Sequence, residues 1–478
     1  MGSIATTFRK FPRTFWIANT IELFERWAWY GFFMLFANYL TGSIDDGGLQ
    51  FSQGQKGLIM GIGTGILYFL PVITGAIADK FGYKRVLFIA FVIYATAFIL
   101  LPRFETFTGV FIMYLYLAVG AALFKPVISA TIAKTTDNET ASIGFGIFYM
   151  MVNIGAFLGP LLTLLFKNSS YESVFYISAA MIMVNFILLF FYREPNQIKS
   201  SEPFWVLIKQ IFVNIYTVLL DYKFVIFLII ASGFWTMYLQ LFFTLPVFIS
   251  QWVDTSGMYV FLSQNMPFIA ENYGHNGAIE AEFITNFDAL FIIAFQIIIS
   301  SIVMRWKALN TMIGGFIVAT IGLSLTLISQ DVLFIFIALF VFAIGEMSAS
   351  PKITEYIGRI APADKKALYM GYSFIPLFLG NLFAGIVSGK VYQEMSDKHT
   401  LLLNEINEKG LHLSEHLTHN QMFEEAALQL NMSKMELTNY LWINYQPSSI
   451  WWVIASIGGG AAIALAIYNY IFFNAKRY

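Results

Sequence analysis

The chain has 478 residues, of which 58% are hydrophobic and 12% are charged. Soluble domains carry about 25% charged residues, so this sequence is too apolar for a large soluble protein. The net charge of −1 offers no basic surface for nucleic acid, and the absence of cysteine excludes disulfides, thiolate metal sites and cysteine nucleophiles.

The first apolar segment begins at Phe15, after a polar and basic stretch that lacks the features of a cleavable signal peptide. Because a bilayer core takes about 20 apolar residues per helix, the hydropathy pattern predicts an all-α membrane protein. Twelve transmembrane helices are predicted, at 14–39, 57–79, 84–102, 107–133, 142–166, 173–192, 224–249, 283–304, 309–329, 332–358, 366–390 and 449–474. They divide the chain into an N-terminal six-helix bundle over 1–192, a linker over 193–223 and a C-terminal six-helix bundle over 224–478.

Lysine and arginine set the orientation of a membrane protein, because they are enriched in cytoplasmic loops. With the N-terminus inside, 18 of these residues fall in cytoplasmic segments and 7 fall on the other side, Lys56 among them. We therefore expect both termini in the cytoplasm. In the linker, Lys209 and Asn214 interrupt the apolar stretch 204–221, which favours an amphipathic helix on the inner leaflet over a thirteenth span.

The segment 391–448 is polar enough to lie outside the membrane, where we expect short helices. Gly410 indicates a helix stop, and Thr418–Gln421 and Ser433–Glu436 fit the capping-box pattern. Three histidines of this segment allow a metal-binding interpretation on a shared helix face, but imidazoles without a fourth ligand are weak evidence. A solvated helix face is favoured, and no metal or other cofactor is predicted. The histidines are His412, His416 and His419.

Ionisable side chains are rare inside the predicted spans and point to function, because each costs about 2.5–3.5 kcal/mol at a helix centre. They are Glu22, Glu25, Arg26, Lys125, Asp288, Glu346 and the pair Lys352 and Glu355. The last two are neighbours on a helix and fit a structural ion pair.

Charge crowding in the first span predicts a proton switch. Glu22 and Arg26 share a helical stripe with Tyr30, and Glu25 adjoins it. One guanidinium cannot neutralise two carboxylates, so one carboxyl group must take a proton or find another cation, for which Lys125 is the candidate. Protonating a carboxylate would free a cation for an anionic substrate.

The sequence Glu-x-x-Glu-Arg-x-x-x-Tyr-Gly at 22–31 resembles the first-helix signature of the proton-coupled oligopeptide transporters, a family within the major facilitator superfamily. Further motifs follow in the family's order. Resemblances are found at 75–85 to the loop between helices 2 and 3, at 120–126 to helix 4, at 148–160 to helix 5, at 234–240 to helix 7 and at 345–351 to helix 10.

The resemblance implies the major facilitator fold, with two six-helix bundles around a central cavity, and import of small peptides or peptide-like zwitterions together with protons. It implies a multi-pass protein of the bacterial inner membrane; the sequence leaves the oligomeric state open, and a monomer is expected to be functional. Proton coupling is expected at Glu22, Glu25, Arg26 and Lys125. Substrate contacts are expected at Tyr30, Tyr68, Lys125, Asn153, Trp235, Gln240, Asp288 and Glu346. A cytoplasmic gate is expected at Asp79, Lys84 and Arg85.

Several positions depart from the family's pattern. Phe33 stands where many peptide carriers have a second arginine, Leu239 and Tyr238 replace an acidic residue before Gln240, and Asp288 replaces an asparagine. Two other interpretations therefore stay open: a proton-driven exporter of drugs or metabolites, and a nutrient sensor that binds its ligand without transporting it. An enzyme is not indicated, because no nucleophile–base spacing, phosphate loop or metal signature is present.

Overall fold

The computed structural model describes residues 10–137, 140–167, 170–195, 203–362 and 366–474. The helices of the N-terminal half and the linker are α1 Arg13–Thr41, α2 Gln53–Phe69, α3 Pro71–Phe81, α4 Tyr83–Leu100, α5 Phe107–Lys134, α6 Ala141–Lys167, α7 Tyr171–Phe191 and α8 Phe204–Leu219.

Further along the chain lie α9 Tyr222–Tyr238, α10 Gln240–Phe243, α11 Leu245–Trp252, α12 Ser256–Asn265, α13 Pro267–Tyr273, α14 Ala281–Thr285, α15 Phe287–Val303, α16 Ala308–Leu325 and α17 Val332–Ile360. A hairpin of β1 Gly274–His275 and β2 Ala278–Ile279 follows α13. The chain continues with α18 Lys366–Gly371, α19 Ile375–Ile386, α20 Tyr392–Met395, α21 Lys398–Lys409, α22 His419–Gln429, α23 Lys434–Tyr445 and α24 Ile450–Asn469.

The described helices confirm an all-α membrane protein. Ten segments are long and apolar enough to cross a bilayer, and α2 with α3, bent by 44°, makes an eleventh. The charges of α1 lower its hydropathy, but its 29 residues would span about 43 Å at the usual helical rise. These segments account for the twelve predicted spans.

Three of the predicted spans were each expected to be one continuous helix, and this was wrong because the structure interrupts all three. The second is broken at Leu70, just before Pro71. The seventh is interrupted at Leu239 and Thr244, ahead of Pro246, and the eleventh contains a 3-10 turn at 372–374 before Pro376. Proline lacks the backbone N–H that a helix interior needs, which explains why the breaks fall beside these residues.

Two compact units contain these helices. One comprises Met1–Phe32, Ile66–Val225 and Ala367–Phe378, and the other comprises Phe33–Gly65, Ile226–Lys366 and Leu379–Tyr478. We call them unit 1 and unit 2. Their borders do not coincide with the two predicted bundles, since residues 33–65 of the N-terminal half pack with C-terminal helices. The division at 193–223 stays a prediction, and residues 1–9, 196–202 and 475–478 lie outside the described residues.

Within unit 2, polar side chains join the start of the chain to its C-terminal helices. Asn38 Nδ2 donates to Glu282 Oε1 over 2.8 Å. Lys56 Nζ donates to the carbonyl of Phe243 over 2.9 Å, in the interrupted stretch between α10 and α11. Lys56, which the sequence places among the basic residues on the non-cytoplasmic side, is fully buried in α2. The lysine satisfies a carbonyl at a break that the sequence did not predict.

The polar segment 391–448 folds into the short helices that were predicted. Gly410 ends α21 with a φ of +62°, and capping boxes begin α22 at Thr418 and α23 at Ser433. The shared helix face for the three histidines was wrong, because residues 411–418 form no helix and only His419 lies in one. Burial, followed by the neighbouring His399 ring, lowers the pKa of His419 to about 4, so its imidazole is neutral at physiological pH.

Candidate functional site

The charged residues of α1 form a buried cluster in unit 1. Arg26 makes a two-pronged ion pair with Glu25, with Nε–Oε2 at 2.5 Å and Nη2–Oε1 at 2.7 Å. Glu22 Oε1 lies 3.3 Å from Arg26 Nε, one turn away. The exposed fractions of the three residues are 6% for Glu22, 0% for Glu25 and 5% for Arg26. The structure therefore brings together the three α1 residues predicted for proton coupling.

Tyr94 of α4 completes this cluster. Its hydroxyl donates to Glu25 Oε1 over 2.6 Å, and both groups are buried. Glu25 therefore receives three hydrogen bonds, whereas Glu22 has one longer contact with Arg26. The sequence did not predict Tyr94, because one tyrosine in an apolar span carries no formal charge to mark it.

Close packing between α1 and α6 fixes where the cluster lies. A Cβ atom on Gly155 would lie 2.6 Å from Arg26 Cβ, and one on Gly159 would lie 2.8 Å from the carbonyl oxygen of Trp27. Glycine is needed at both positions because the backbones approach too closely for a side chain. Asn153, predicted for substrate binding, is half-buried two residues before Gly155, and its amide donates to the Tyr149 carbonyl of its own helix.

Lys125 of α5 lies against an aromatic ring of unit 1. Its Nζ is 4.1 Å from the centre of the Tyr68 ring, and the ammonium interacts electrostatically with Arg26, Glu25 and Glu22. Among the described residues, no carboxylate oxygen lies within 4.0 Å of Lys125 Nζ. The Arg26 guanidinium lies 5.8 Å from the centre of the Tyr30 ring. The four predicted residues Tyr30, Tyr68, Arg26 and Lys125 thus pair two cations with two aromatic faces.

The predicted gate residues lie on both sides of the α3–α4 turn, with Asp79 in α3 and Lys84 and Arg85 in α4. Asp79 accepts a hydrogen bond from the Tyr83 hydroxyl at 2.9 Å, and Lys134 donates to the same hydroxyl at 2.9 Å. Lys84 donates to the Tyr192 carbonyl at 3.1 Å, while Arg85 is exposed. Within the described part of the chain, none of Asp79, Lys84 and Arg85 forms a salt bridge, so the latch stays a prediction.

Unit 2 contains a second buried acidic group, formed by α9, α15 and α17. Tyr238 donates to Glu346 Oε1 over 2.9 Å. The carboxyl groups of Asp288 and Glu346 lie close enough to act on each other, and Asp288 Oδ1 and Glu346 Oε2 are buried. Of these three, the sequence predicted Asp288 and Glu346 but not their mutual contact, because 58 positions separate them and helix packing alone joins them.

Two predicted substrate residues of unit 2 differ in what they offer a ligand. Trp235 is half-buried, with its ring edge-on to Tyr238 at 5.0 Å and its Cβ against Gly380 of α19. Gln240 is 1% exposed and bonds to Thr236, Thr244 and the Ala384 carbonyl. In this structure Gln240 thus stabilises the interrupted seventh span. The predicted pair of Lys352 and Glu355 is present at 2.7 Å.

The fold and the buried charges define a membrane transporter. The sequence pattern of the Major Facilitator Superfamily matches residues 18–385. The chain therefore belongs to the Major Facilitator Superfamily, a family of transporters rather than enzymes.

Curated relatives confirm the resemblance to peptide carriers but do not restrict it to them. An uncharacterised transporter of Bacillus subtilis, YclF, is 28% identical over 39% of this chain and 38% of its own length. The peptide transporter YePEPT of Yersinia enterocolitica is 30% identical over 30% of this chain and 29% of its own. The multidrug resistance protein MdtH of Aeromonas salmonicida is 22% identical over 75% of this chain and 83% of its own. The matches to the first and second of these relatives thus span less than half of each protein.

Solved structures match nearly the whole chain. A peptide transporter of the POT family in complex with sulfate has a TM-score of 0.69 at 16% identity and covers 96% of this chain and 94% of its own. A POT family transporter in complex with 5-aminolevulinic acid has a TM-score of 0.68 at 17% identity, over 97% and 96%. At such identities the likeness establishes the fold alone.

We predict that Tyr94→Phe lowers the free energy of unfolding by about 1.5–3 kcal/mol, because it removes a buried hydrogen bond to a charged carboxylate. Thermal unfolding of the purified protein measures the loss. The control is Tyr116→Phe, which removes a half-buried hydroxyl 3.1 Å from Thr96 Oγ1. Equal changes in the two variants would contradict a special contribution of Tyr94.

Proposed function

We propose that this protein is a proton-coupled symporter that imports small peptides or peptide-like zwitterions by alternating access. The observation that carries the proposal is the buried α1 cluster, in which two carboxylates share one guanidinium. The POT-family structures and the peptide transporter YePEPT support the choice of substrate. The 18-to-7 distribution of basic residues supports cytoplasmic termini in a bacterial inner membrane.

The proton binds at Glu22 in this proposal. Arg26 and Tyr94 hold Glu25 with three hydrogen bonds, and such bonds favour a charged carboxylate. Among the described residues, the one ion-pair contact of Glu22 is that with Arg26 at 3.3 Å, so Glu22 is the member that gains most from a proton. Protonating Glu22 also removes the net negative charge that the cluster would otherwise bury.

Lys125 links the proton to the substrate. Its ammonium is half-buried over Tyr68 and interacts with Glu22 and Glu25 at longer range. When Glu22 takes a proton, less negative charge acts on Lys125, and the ammonium can then attract the carboxylate of a ligand. The coupling thus requires only that one cation exchanges a carboxylate of the protein for a carboxylate of the substrate.

Glu346 supplies the opposite charge, for the amino group of a zwitterion. Tyr238 donates a hydrogen bond to Glu346, and the Trp235 ring lies edge-on to Tyr238. Phe33, at the position of an expected second arginine, packs against Phe242 and Phe243. With Phe33 in place of a second arginine, the site offers a peptide carboxylate one cation fewer. We therefore expect the protein to bind fewer kinds of peptide, or more hydrophobic ones.

A proton-driven exporter is the second candidate. MdtH aligns with 75% of this chain, a longer stretch than the 30% matched by YePEPT. Buried carboxyl groups serve antiport as well as symport. Lys125 favours import of an anionic or zwitterionic solute, because a lysine repels the lipophilic cations that drug exporters take.

The first test is uptake into liposomes under an inward pH gradient, with a ligand found by thermal-shift screening of peptides, amino acids, nucleosides and drugs. We expect Glu22→Gln to abolish gradient-driven uptake, because glutamine cannot release a proton, and to retain some counterflow. Glu172→Gln, at the first turn of α7, is the control for loss of a carboxylate outside the cluster. Unchanged gradient-driven uptake by Glu22→Gln would remove Glu22 from the mechanism.

The second test concerns substrate polarity. Lys125→Ala should weaken binding of a ligand with a free carboxylate but not of its amide, and Glu346→Ala should weaken binding of a ligand with a free amine. Each lost pairing is expected to cost about tenfold in affinity, which corresponds to roughly 1.4 kcal/mol. Titration calorimetry with a peptide, its amide and its N-acetyl derivative measures both preferences. Wild-type affinity for the zwitterion in both variants would favour the exporter.

A further inference from the structure

Asp288 and Glu346 form a pair of carboxyl groups that contact each other. Asp288 lies at the start of α15 and is 5% exposed, and Glu346 lies in the middle of α17. Their carboxyl groups lie close enough to act on each other. The same two helices pack below the pair through Ile292, Ala343 and Met347. The contact is therefore built into an apolar helix–helix interface.

The surroundings of the pair supply no cation. Among the described residues, the titratable groups that act on the two carboxyls are each other and the Tyr238 phenol. Asp288 Oδ1 and Glu346 Oε2 are buried and receive no hydrogen bond from another residue of the described chain. Two adjacent carboxyl groups can form a hydrogen bond only if one of them carries a proton, and the described residues offer these two buried oxygens no other donor.

We infer that Asp288 and Glu346 together bind one proton, which makes Asp288 a proton-binding residue and not a direct substrate ligand. Two carboxylates in hydrogen-bonding contact repel each other strongly where water is excluded, so the pair is stable when one member is neutral. The role in transport rests on the proposed function, whereas the proton site itself does not.

The hydrogen bonds assign the proton to Asp288. Tyr238 already donates to Glu346 Oε1, which favours Glu346 as the charged acceptor. A neutral Asp288 then donates to Glu346 from the other side. The protonated pair has a net charge of −1, which matches the single positive charge of one substrate ammonium group. Without the proton, the pair would hold two negative charges against that one ammonium.

Infrared difference spectroscopy of the purified full chain tests the proton site directly. At neutral pH, the wild type should show the carbonyl stretch of a protonated carboxyl group that Asp288→Asn lacks. Asparagine keeps the size of the side chain and an N–H donor for Glu346. Asp288→Glu should restore the band, and Glu436→Gln, which removes an exposed helix-capping carboxylate, should keep it. An unchanged carboxyl band in Asp288→Asn would overturn the proposal.

Liposome uptake then tests the role of the pair in coupling. Accumulation driven by an inward pH gradient should fall at least about tenfold in Asp288→Asn, equivalent to losing one unit of pH as driving force. It should stay at the wild-type level in Glu436→Gln. Undiminished accumulation in Asp288→Asn would overturn the coupling role, even if the infrared band is lost. If the wild type accumulates no peptide, the proposed function fails, and the infrared difference still decides whether the pair binds a proton.

Discussion

The ion pair between Arg26 and Glu25 is the interaction on which unit 1 depends. A charged group inside a membrane protein is costly unless it is paired, and removing one partner of a buried pair leaves the other exposed to that full cost. Arg26, Glu25 and Tyr94 therefore have to stay together, which fixes α1 against α4. Gly155 brings α6 close to the Cβ of Arg26 from another side. The cluster is held by backbone packing as well as by charge.

The pairing of Arg26 with Glu25 also underlies the proposed proton binding at Glu22. The two-pronged pair leaves Glu22 with one 3.3 Å contact to Arg26 among the described residues, and for this reason we propose Glu22 as the proton-binding carboxyl group. Unit 2 repeats the principle with different residues, since Tyr238 holds Glu346 and leaves Asp288 as the weakly held partner. In both clusters one carboxylate accepts hydrogen bonds from neighbouring donors, and we propose that the other carboxyl group binds the proton.

Much of this could be predicted from the sequence, because long apolar runs and rare buried charges are local signals. The fourth span was predicted at 107–133 and is observed as Phe107–Lys134. Helix breaks were harder to predict. Pro126, Pro160 and Pro351 lie inside continuous helices, whereas breaks fall beside Pro71 and Pro246. Whether a proline interrupts a helix depends on contacts that the sequence does not reveal; near Pro246, for example, the distant Lys56 donates to the Phe243 carbonyl.

Among the functional residues, too, contacts within one helix could be predicted from the sequence, whereas contacts between distant helices could not. The spacing of Glu22 and Arg26 on one helix is enough to predict their contact, because residues four apart are neighbours. Tyr94 and the pairing of Asp288 with Glu346 depend on contacts between helices distant in sequence. Gln240 illustrates the reverse case, since a polar residue at an expected substrate position has its hydrogen bonds filled by the seventh span and α19.

The direction of proton movement during transport tests the central claim most directly. Liposomes that contain the protein and a pH-sensitive dye would start at equal pH inside and outside, with a permeant ion to prevent a membrane potential. Adding the zwitterionic ligand outside should acidify the lumen, because ligand and proton enter together. Ligand entry with an alkaline shift of the lumen, or with no shift, would contradict proton symport through this buried cluster.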